Sequence, residues 1–454
     1  MLNREIVPAS GKLDSFLLPK MFFFTADNGL KVSTVNKPKL PIVQLDFIIF
    51  SGSNSDPENK YGLANLTSMV IDEGAGEYSS LQLAEEFEKL GSFFSIETHV
   101  EFIKLSLFTL KENVDRSFEL ISKIIQFPQF NESDFQREKN KATTSLLRLS
   151  DESQYLANAA FDKVLYANSY LQFPKFGTLA SLNNITITDC KNYYKQNFFI
   201  QNMHLIATGD IDSSEIKGLV GKYLNNINSS DEKVTHNQNL RNNKSSFFVI
   251  DKEDSVQSEI RIGRLSTPRN EGNHFARSIM NTILGGSFVS RININLREEK
   301  GFTYGAHSSF FYYQNASNFV VSTAVETKNT IQTIKEIFKE FESIRLSISK
   351  EEIDIAKSYL IKLFPSMFES YEQINNNVFN LIYFALPGDY YDNYIKNIES
   401  VSVDEVQSAA SDEIIINDMQ VIIAGDKKNL IDSFSSITKD KVNIIEKEEL
   451  IEKC

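Results

Sequence analysis

The feature that most restricts the fold of this chain is an internal repeat. Residues Ser181–Asp210 (SLNNITITDCKNYYKQNFFIQNMHLIATGD) align without a gap on Asn397–Asp426 (NIESVSVDEVQSAASDEIIINDMQVIIAGD), at an offset of 216 residues. Identical pairs are Ile200/Ile416, Met203/Met419, Ile206/Ile422, Gly209/Gly425 and Asp210/Asp426, and apolar character is kept at Ile185/Val401, Ile187/Val403, Phe198/Ile414 and Phe199/Ile415. Each copy predicts a short helix followed by a buried strand that ends in a Gly-Asp turn. The order of elements before each copy also agrees, so the chain reads as a duplication.

Between the halves, the polar, Asn-rich stretch Asn225–Lys244 lacks apolar periodicity and reads as a linker. The expected organisation is an N-terminal domain over 1–225, a linker over 226–245 and a C-terminal domain over 246–454. In the first half, strand patterns cover Val43–Ser51 and Phe93–Leu110, and helix patterns cover Tyr61–Asp72, Ser80–Leu90, Asn113–Ile125 and Asp134–Leu149. The last of these helices is expected to open on a capping box from Ser133 to Gln136. In the second half, strands are expected at Ser258–Leu265, Tyr304–Tyr312 and Phe319–Val325, with helices at Asn273–Leu284, Ser290–Lys300, Thr330–Phe341 and Lys350–Met367. Strands and helices fall in blocks rather than alternating singly, which points to an α+β sandwich in each half.

Composition narrows the function. Sixty Asp and Glu outnumber 47 Lys and Arg, giving a net charge of −13, with no basic block beyond short pairs. Such a surface argues against a nucleic-acid partner, whose phosphates require a basic stripe. The charge bears only slightly on a preference for basic peptides. Two cysteines, Cys190 and Cys454, build no disulfide framework. The five histidines, His99, His204, His236, His274 and His307, have no two at ligand spacing on one helix, which counts against a His-rich zinc site. The N-terminus shows no leader pattern, and no window approaches the ~18 consecutive apolar residues that span a bilayer. The default compartment is the cytoplasm, or the periplasm if a leader has been removed.

With these elements placed, the sequence resembles the insulinase-like (M16) metallopeptidases, in particular the two-domain bacterial and mitochondrial-processing type. The resemblance runs from Asp27-Asn28-Gly29-Leu30-Lys31-Val32 through Gly52-Ser53 and Gly62-Leu63-Ala64. It is strongest at Leu284-Gly285-Gly286-Ser287-Phe288-Val289-Ser290-Arg291 and Leu296-Arg297-Glu298-Glu299-Lys300-Gly301-Phe302-Thr303-Tyr304. It implies two homologous α+β domains that enclose half of a chamber. Catalytic members resemble one another at a His-x-x-Glu-His helix with a distant Glu, which hold Zn²⁺ and activate its water. Set on that pattern, the first His position is Asn65, the base position Ser68, the second His position Met69, and the distant Glu, ~76 residues on, Ser145. An amide oxygen is a weak neutral ligand, a thioether is soft, and a Ser hydroxyl is a poor base at neutral pH. No His lies within thirty residues of Met69 except His99, read as an ordinary strand residue. No metal is therefore expected in this chain, and no catalytic residue.

The resemblance does carry over an Arg and a Tyr seven residues apart, here Arg297 and Tyr304. Gly301 is expected to end the helix bearing Arg297, so that Tyr304 lies on the following strand. A guanidinium and a phenol that converge can both donate to a peptide carbonyl. The plainer reading is a local salt bridge from Arg297 to Glu298 or Glu299, with Tyr304 packed in a strand. Loss of the zinc set with retention of the Arg/Tyr pair implies a substrate-binding subunit of a heterodimer or heterotetramer whose zinc-bearing homologue performs the chemistry on a peptide. An inert scaffold remains the alternative. The segment Gly91–Val100 stands where catalytic members pair with extended substrate, although Phe93 and Phe94 read more readily as core.

Overall fold

The computed structural model describes residues 16–229, 240–438 and 441–453; His236, Cys454 and the middle of the expected linker lie outside them. On the N-terminal side of that gap the strands are β1 (Phe22–Thr25), β2 (Lys31–Asn36), β3 (Ile42–Ile49), a separate small hairpin of β4 (Gly74–Ala75) and β5 (Tyr78–Ser79), β6 (Phe93–Thr98), β7 (Ile103–Leu110) and β8 (Met203–Gly209). On the C-terminal side are β9 (Ser246–Asp251), β10 (Gln257–Leu265), β11 (Ala306–Tyr312), β12 (Ser317–Glu326), β13 (Gln420–Gly425) and β14 (Asn443–Ile445). They form two six-stranded sheets, ordered β1-β2-β8-β3-β7-β6 and β11-β12-β10-β13-β9-β14. Reversing the first order gives the second, position for position. The one break in this symmetry is at an edge: β1 runs antiparallel to β2, whereas β14 runs parallel to β9.

The repeat seen in the sequence is reproduced element by element. Helices Ile187–Asn197 and Val403–Glu413 begin and end at the same offset, followed by the 3₁₀ turns Ile200–Asn202 and Ile416–Asp418 and by β8 and β13. Both helices open on a capping box, Thr186 with Asp189 and Ser402 with Glu405, which satisfies otherwise unpaired N–H groups.

Five helices follow one another in the first half: α1 (Leu63–Val70), α2 (Ser80–Lys89), α3 (Val114–Gln126), α4 (Glu132–Leu149) and α5 (Ser153–Leu165). Alternation along β3 sends Val43, Leu45, Phe47 and Ile49 into the core with α1 and α3. The opposite face of β3, with Ile48, is covered from the other half by the helix Tyr371–Tyr383 through Ile374 and Val378. Reciprocally, α5 leaves its own half and packs on β10 and β13, where Leu156, Ala160 and Phe161 join Ile422 and Ala424. The halves thus interlock, each supplying one helix to the other's sheet.

A polar pair marks each crossing. Asp46 on β3 stands opposite Ile206, and Arg261 on β10 opposite Ile422, so the two occupy the same place in the repeat. Asn375 Nδ2 donates to Asp46 Oδ2 at 2.9 Å, and Arg261 Nε donates to Asn158 Oδ1 at 2.7 Å. All four partners span the two halves, and both charged groups are buried.

Several boundaries differ from expectation for local reasons. Asn131, in extended backbone, takes the N-cap place of α4, so Ser133 falls inside the helix and forms no capping box. The helix expected over Lys350–Met367 ends at Leu363, and Pro365 opens a 3₁₀ turn over Phe364–Phe368. The segment Ser290–Lys300 is one α-helical turn, Arg291–Asn293, followed by a π-helical turn, Ile294–Glu299. Strand β11 starts at Ala306 rather than Tyr304, because Thr303 Oγ1 occupies the Gly305 amide and carbonyl (3.1 and 2.8 Å) before the ladder begins.

Candidate functional site

Helix α1 is anchored at its start by the half-buried Asp56, whose carboxylate accepts from the Gly62 and Ala64 amides at 2.7 and 2.8 Å. Burial pushes this carboxyl up to about 8, with the backbone amides opposing. One turn further on are three of the four positions that the resemblance sets against the zinc motif, Asn65, Ser68 and Met69; the fourth, Ser145, stands on another helix. Asn65 Nδ2 lies 3.6 Å from Met69 Sδ, at hydrogen-bonding distance for sulfur. Ser68 is buried, and its Oγ accepts from Thr98 Oγ1 at 2.8 Å, which ties α1 to the end of β6. Ser145 sits on α4, which packs on α1, and its side chain is exposed. These groups do not fit Zn²⁺: no anionic or imidazole donor is among them. Nearby carboxylates do not compensate. Arg137 is held among Asp134, Glu138 and Glu73, and burial followed by the charge of Glu73 pushes Asp72 up to about 7. Among the described residues no group of three or more His, Cys, Asp or Glu is arranged to hold a metal.

His99 lies one residue past β6, in the turn to β7 rather than in the strand. Its ring stacks on Phe102 at 4.2 Å, and burial pushes its pKa down. His204 is spent on Ser33 Oγ at 2.7 Å, and burial pushes it down to about 4. His274 is half-buried against Tyr312, and His307 is exposed on β11.

Strand β6 is one edge of the first sheet, β1 the other. Apart from its ladder with β7, the backbone of β6 receives one hydrogen bond among the described residues, from Lys175 Nζ to the Thr98 carbonyl at 3.3 Å. Phe93 is not core: it is 73% exposed, because alternation turns Phe94 and Ile96 inward. Phe94 is half-buried and stacks on Phe87 at 5.4 Å.

Arg297 and Tyr304 stand in the second half, and no hydrogen bond, ion pair or ring contact among the described residues links them to α1 or β6. Arg297 lies in the π-helical turn, a local distortion often found at functional sites. Its guanidinium carbon is 4.2 Å from the centre of the Phe288 ring, and its Nη1 is 3.1 Å from Glu298 Oε1. The ion pair of the plainer reading is therefore present. The strand packing of that reading is not: Tyr304 is 96% exposed, and its phenol has no hydrogen bond among the described residues. Its backbone is nevertheless pinned, since Thr323 Oγ1 donates to Thr303 Oγ1 and to the Gly305 carbonyl at 3.1 and 3.0 Å. Gly301, at φ +64°, turns the chain out of the π-helical turn toward it. Arg291, from the same motif, is structural: its guanidinium binds Glu352 through Nε and Nη2 at 2.6 and 2.9 Å.

A cavity of about 470 Å³ between the halves was not foreseen. Its hairpin residue Glu101 accepts from Tyr170 Oη at 2.5 Å, from the Gln314 amide at 2.9 Å and from Tyr383 Oη, so it joins both halves. On α5, Asp162 faces the same cavity with no side-chain hydrogen-bond partner among the described residues, and burial pushes its carboxyl up to about 7. Its wall comes from residues hundreds of positions apart, so no sequence spacing announces it.

Family comparisons bear directly on this geometry. The insulinase (peptidase family M16) model matches residues 31–176, and the peptidase M16 inactive domain model matches residues 184–360. The chain belongs to the M16 family. This M16 chain is 25% identical over 430 residues to the non-peptidase homolog YmxG of Helicobacter pylori, covering 91% of the chain and 98% of that protein. A solved peptidase M16 inactive domain from Pseudomonas fluorescens superposes with a TM-score of 0.84 at 23% identity, over 90% of this chain and 98% of that one, and so shares the fold. The mitochondrial-processing peptidase subunit beta of Neurospora crassa is 25% identical over 208 residues, 45% of this chain and 43% of that protein. With relatives named as a non-peptidase homolog and a probable inactive metalloprotease, this is an inactive member of the family. Among the described residues no helix is long and apolar enough to cross a membrane.

Proposed function

We propose that this chain is the substrate-binding, non-catalytic subunit of a heteromeric M16 zinc peptidase, and that Arg297 and Tyr304 orient the peptide for a zinc-bearing homologue. Tyr304 carries the reading: an almost fully exposed phenol on a backbone fixed by Thr303 and Thr323 is poised to donate to something outside the chain. Arg297 supplies the second donor, in a turn shaped for it. The open edge of β6 offers backbone groups to an extended peptide. The chamber would be completed by the partner, which would also bring the zinc; the resemblance to a named subunit of a processing peptidase supports an assembly of this kind.

The experiment is to mix the purified chain with its zinc-bearing homologue and follow peptide cleavage. The proposal expects the mixture to cleave and this chain alone to be inert. A scaffold reading draws on one observation, the Glu298 carboxylate at 3.1 Å from Arg297, which already neutralises that guanidinium. It expects the homologue to cleave equally well without this chain.

A further inference from the structure

Arg297, in the π-helical turn, rests on Phe288 of the preceding loop, and Tyr304 lies in the loop that follows the turn, so an orienting pair requires the two loops to keep a fixed separation. One buried side chain spans them. Asn293, 2% exposed, lies at the junction of the α-helical and π-helical turns. Its Nδ2 donates to the Phe288 carbonyl at 2.6 Å, and its Oδ1 accepts from the Ala306 amide at 3.2 Å. Both bonds are met by a single orientation of the amide, its NH₂ toward one loop and its oxygen toward the other.

Each bond ends next to one member of the pair. Phe288, 66% exposed, is the ring on which the Arg297 guanidinium rests. A cation over an aromatic face is attracted by the ring quadrupole, so fixing the ring fixes the guanidinium. Ala306 opens β11, two residues after Tyr304, and Thr303 and Gly305 are pinned on Thr323 from the other side. Without Asn293, the tyrosine loop would remain attached to the sheet and the Phe288 loop to its own helix, with no side-chain hydrogen bond from Asn293 between them.

We infer that Asn293 is a positioning residue, which holds the Phe288–Arg297 stack and Tyr304 in one frame ready for a peptide carbonyl. The inference deepens the proposed function and rests on it for its catalytic consequence, but not for its structural one. The side-chain chemistry separates the two halves of the role. Asn293→Asp keeps an acceptor for the Ala306 amide and loses the donor to Phe288. Asn293→Ala loses both.

The chain contains no tryptophan, so Tyr304→Trp installs a single indole at the site. In that background Asn293→Ala is expected to lower the steady-state anisotropy of the indole, whereas Asn293→Asp leaves it near its starting value. Circular dichroism checks that each variant is folded; if Asn293→Ala is not, Asn293→Ser, too short to span both loops, is measured in its place. An anisotropy indifferent to both Asn293→Ala and Asn293→Ser overturns the inference. With the zinc-bearing homologue present, Asn293→Ala is expected to lower kcat/KM about tenfold in the otherwise native chain. In an Arg297→Ala, Tyr304→Phe background the loss should fall to less than about twofold, because an effect transmitted through that pair vanishes with it. Equal losses in both backgrounds overturn the positioning role. A fall in anisotropy together with hydrolysis unaffected by Arg297→Ala refutes the proposed function while leaving the placement of Tyr304 by Asn293 intact.

Discussion

The free edges β6 and β11 occupy equivalent places in the two halves and are treated in opposite ways. Among the described residues, the backbone of β6 carries only the Lys175 hydrogen bond beyond its own ladder. On β11, Asn281 Nδ2 donates to the Ser308 carbonyl at 3.1 Å, and Ser308 Oγ donates back to Asn281 Oδ1 at 2.7 Å. The π-helical turn Thr282–Gly286 presses so closely that a Cβ on Gly285 would stand 2.7 Å from the Ser308 nitrogen, which only glycine permits. One copy of the duplicated domain therefore keeps an edge open to an added strand. The other covers its edge and places Arg297 and Tyr304 just before it. On the proposed function, duplication divides peptide binding between halves that share a topology.

The same division can be broken by experiment at several points. The largest effect is expected at α1. Asn65→His, Ser68→Glu, Met69→His and Ser145→Glu together should let the chain retain about one equivalent of zinc through dialysis, where the native chain retains none, because three charged or imidazole donors replace neutral ones. Atomic absorption decides it, and zinc retained by the native chain would contradict the reading of this helix.

The interlocking of the halves comes next. Asn375→Leu leaves the buried Asp46 carboxylate with Gln44 alone and should cost about 1–3 kcal/mol in urea unfolding. Asn158→Leu should cost less, about 1 kcal/mol, because Arg261 keeps Glu259 at 2.8 Å and the Ile260 carbonyl at 2.9 Å. The reverse order would show that the two crossings are not held as described.

A smaller, pH-dependent effect is expected at the cavity. The folded-state pKa of Asp162 lies above its unfolded value, so the folded state binds the extra proton, and the cost of the buried group grows as pH rises from about 4 to about 7. Asp162→Asn should therefore stabilise the chain by about 1–2 kcal/mol at pH 8 and by almost nothing at pH 4. Equal effects at both pH values would place the carboxyl in a wetter site.

Much of this was legible in the residues. Gly209-Asp210 and Gly425-Asp426 register the repeat, and the caps at Thr186 and Ser402 come from local chemistry, so the helices and central strands fall where their periodicity puts them. The positions Asn65, Ser68 and Met69 on α1 were read from the family resemblance, set by the preceding Gly62-Leu63-Ala64. What was illegible depends on partners far along the chain. The exchange of α5 and Tyr371–Tyr383 between sheets, the pairing of Glu101 with Tyr383 and the role of Asn293 are contacts between segments with no common period. Phe93 was misread because a strand at a sheet edge can keep an aromatic on its outer face, and periodicity alone does not say which strand is the edge. Tyr304 falls outside its strand because one threonine hydroxyl competes for the backbone of its neighbour.

The most direct test of the account is the turnover of a peptide by the zinc-bearing homologue mixed with the native chain or with its Arg297→Ala, Tyr304→Phe variant. The account predicts that kcat/KM falls about 10²-fold with the variant, the scale of losing donors to a developing oxyanion, while the two subunits still associate. Turnover unchanged by the double substitution, or chelator-sensitive hydrolysis by this chain on its own, would contradict it.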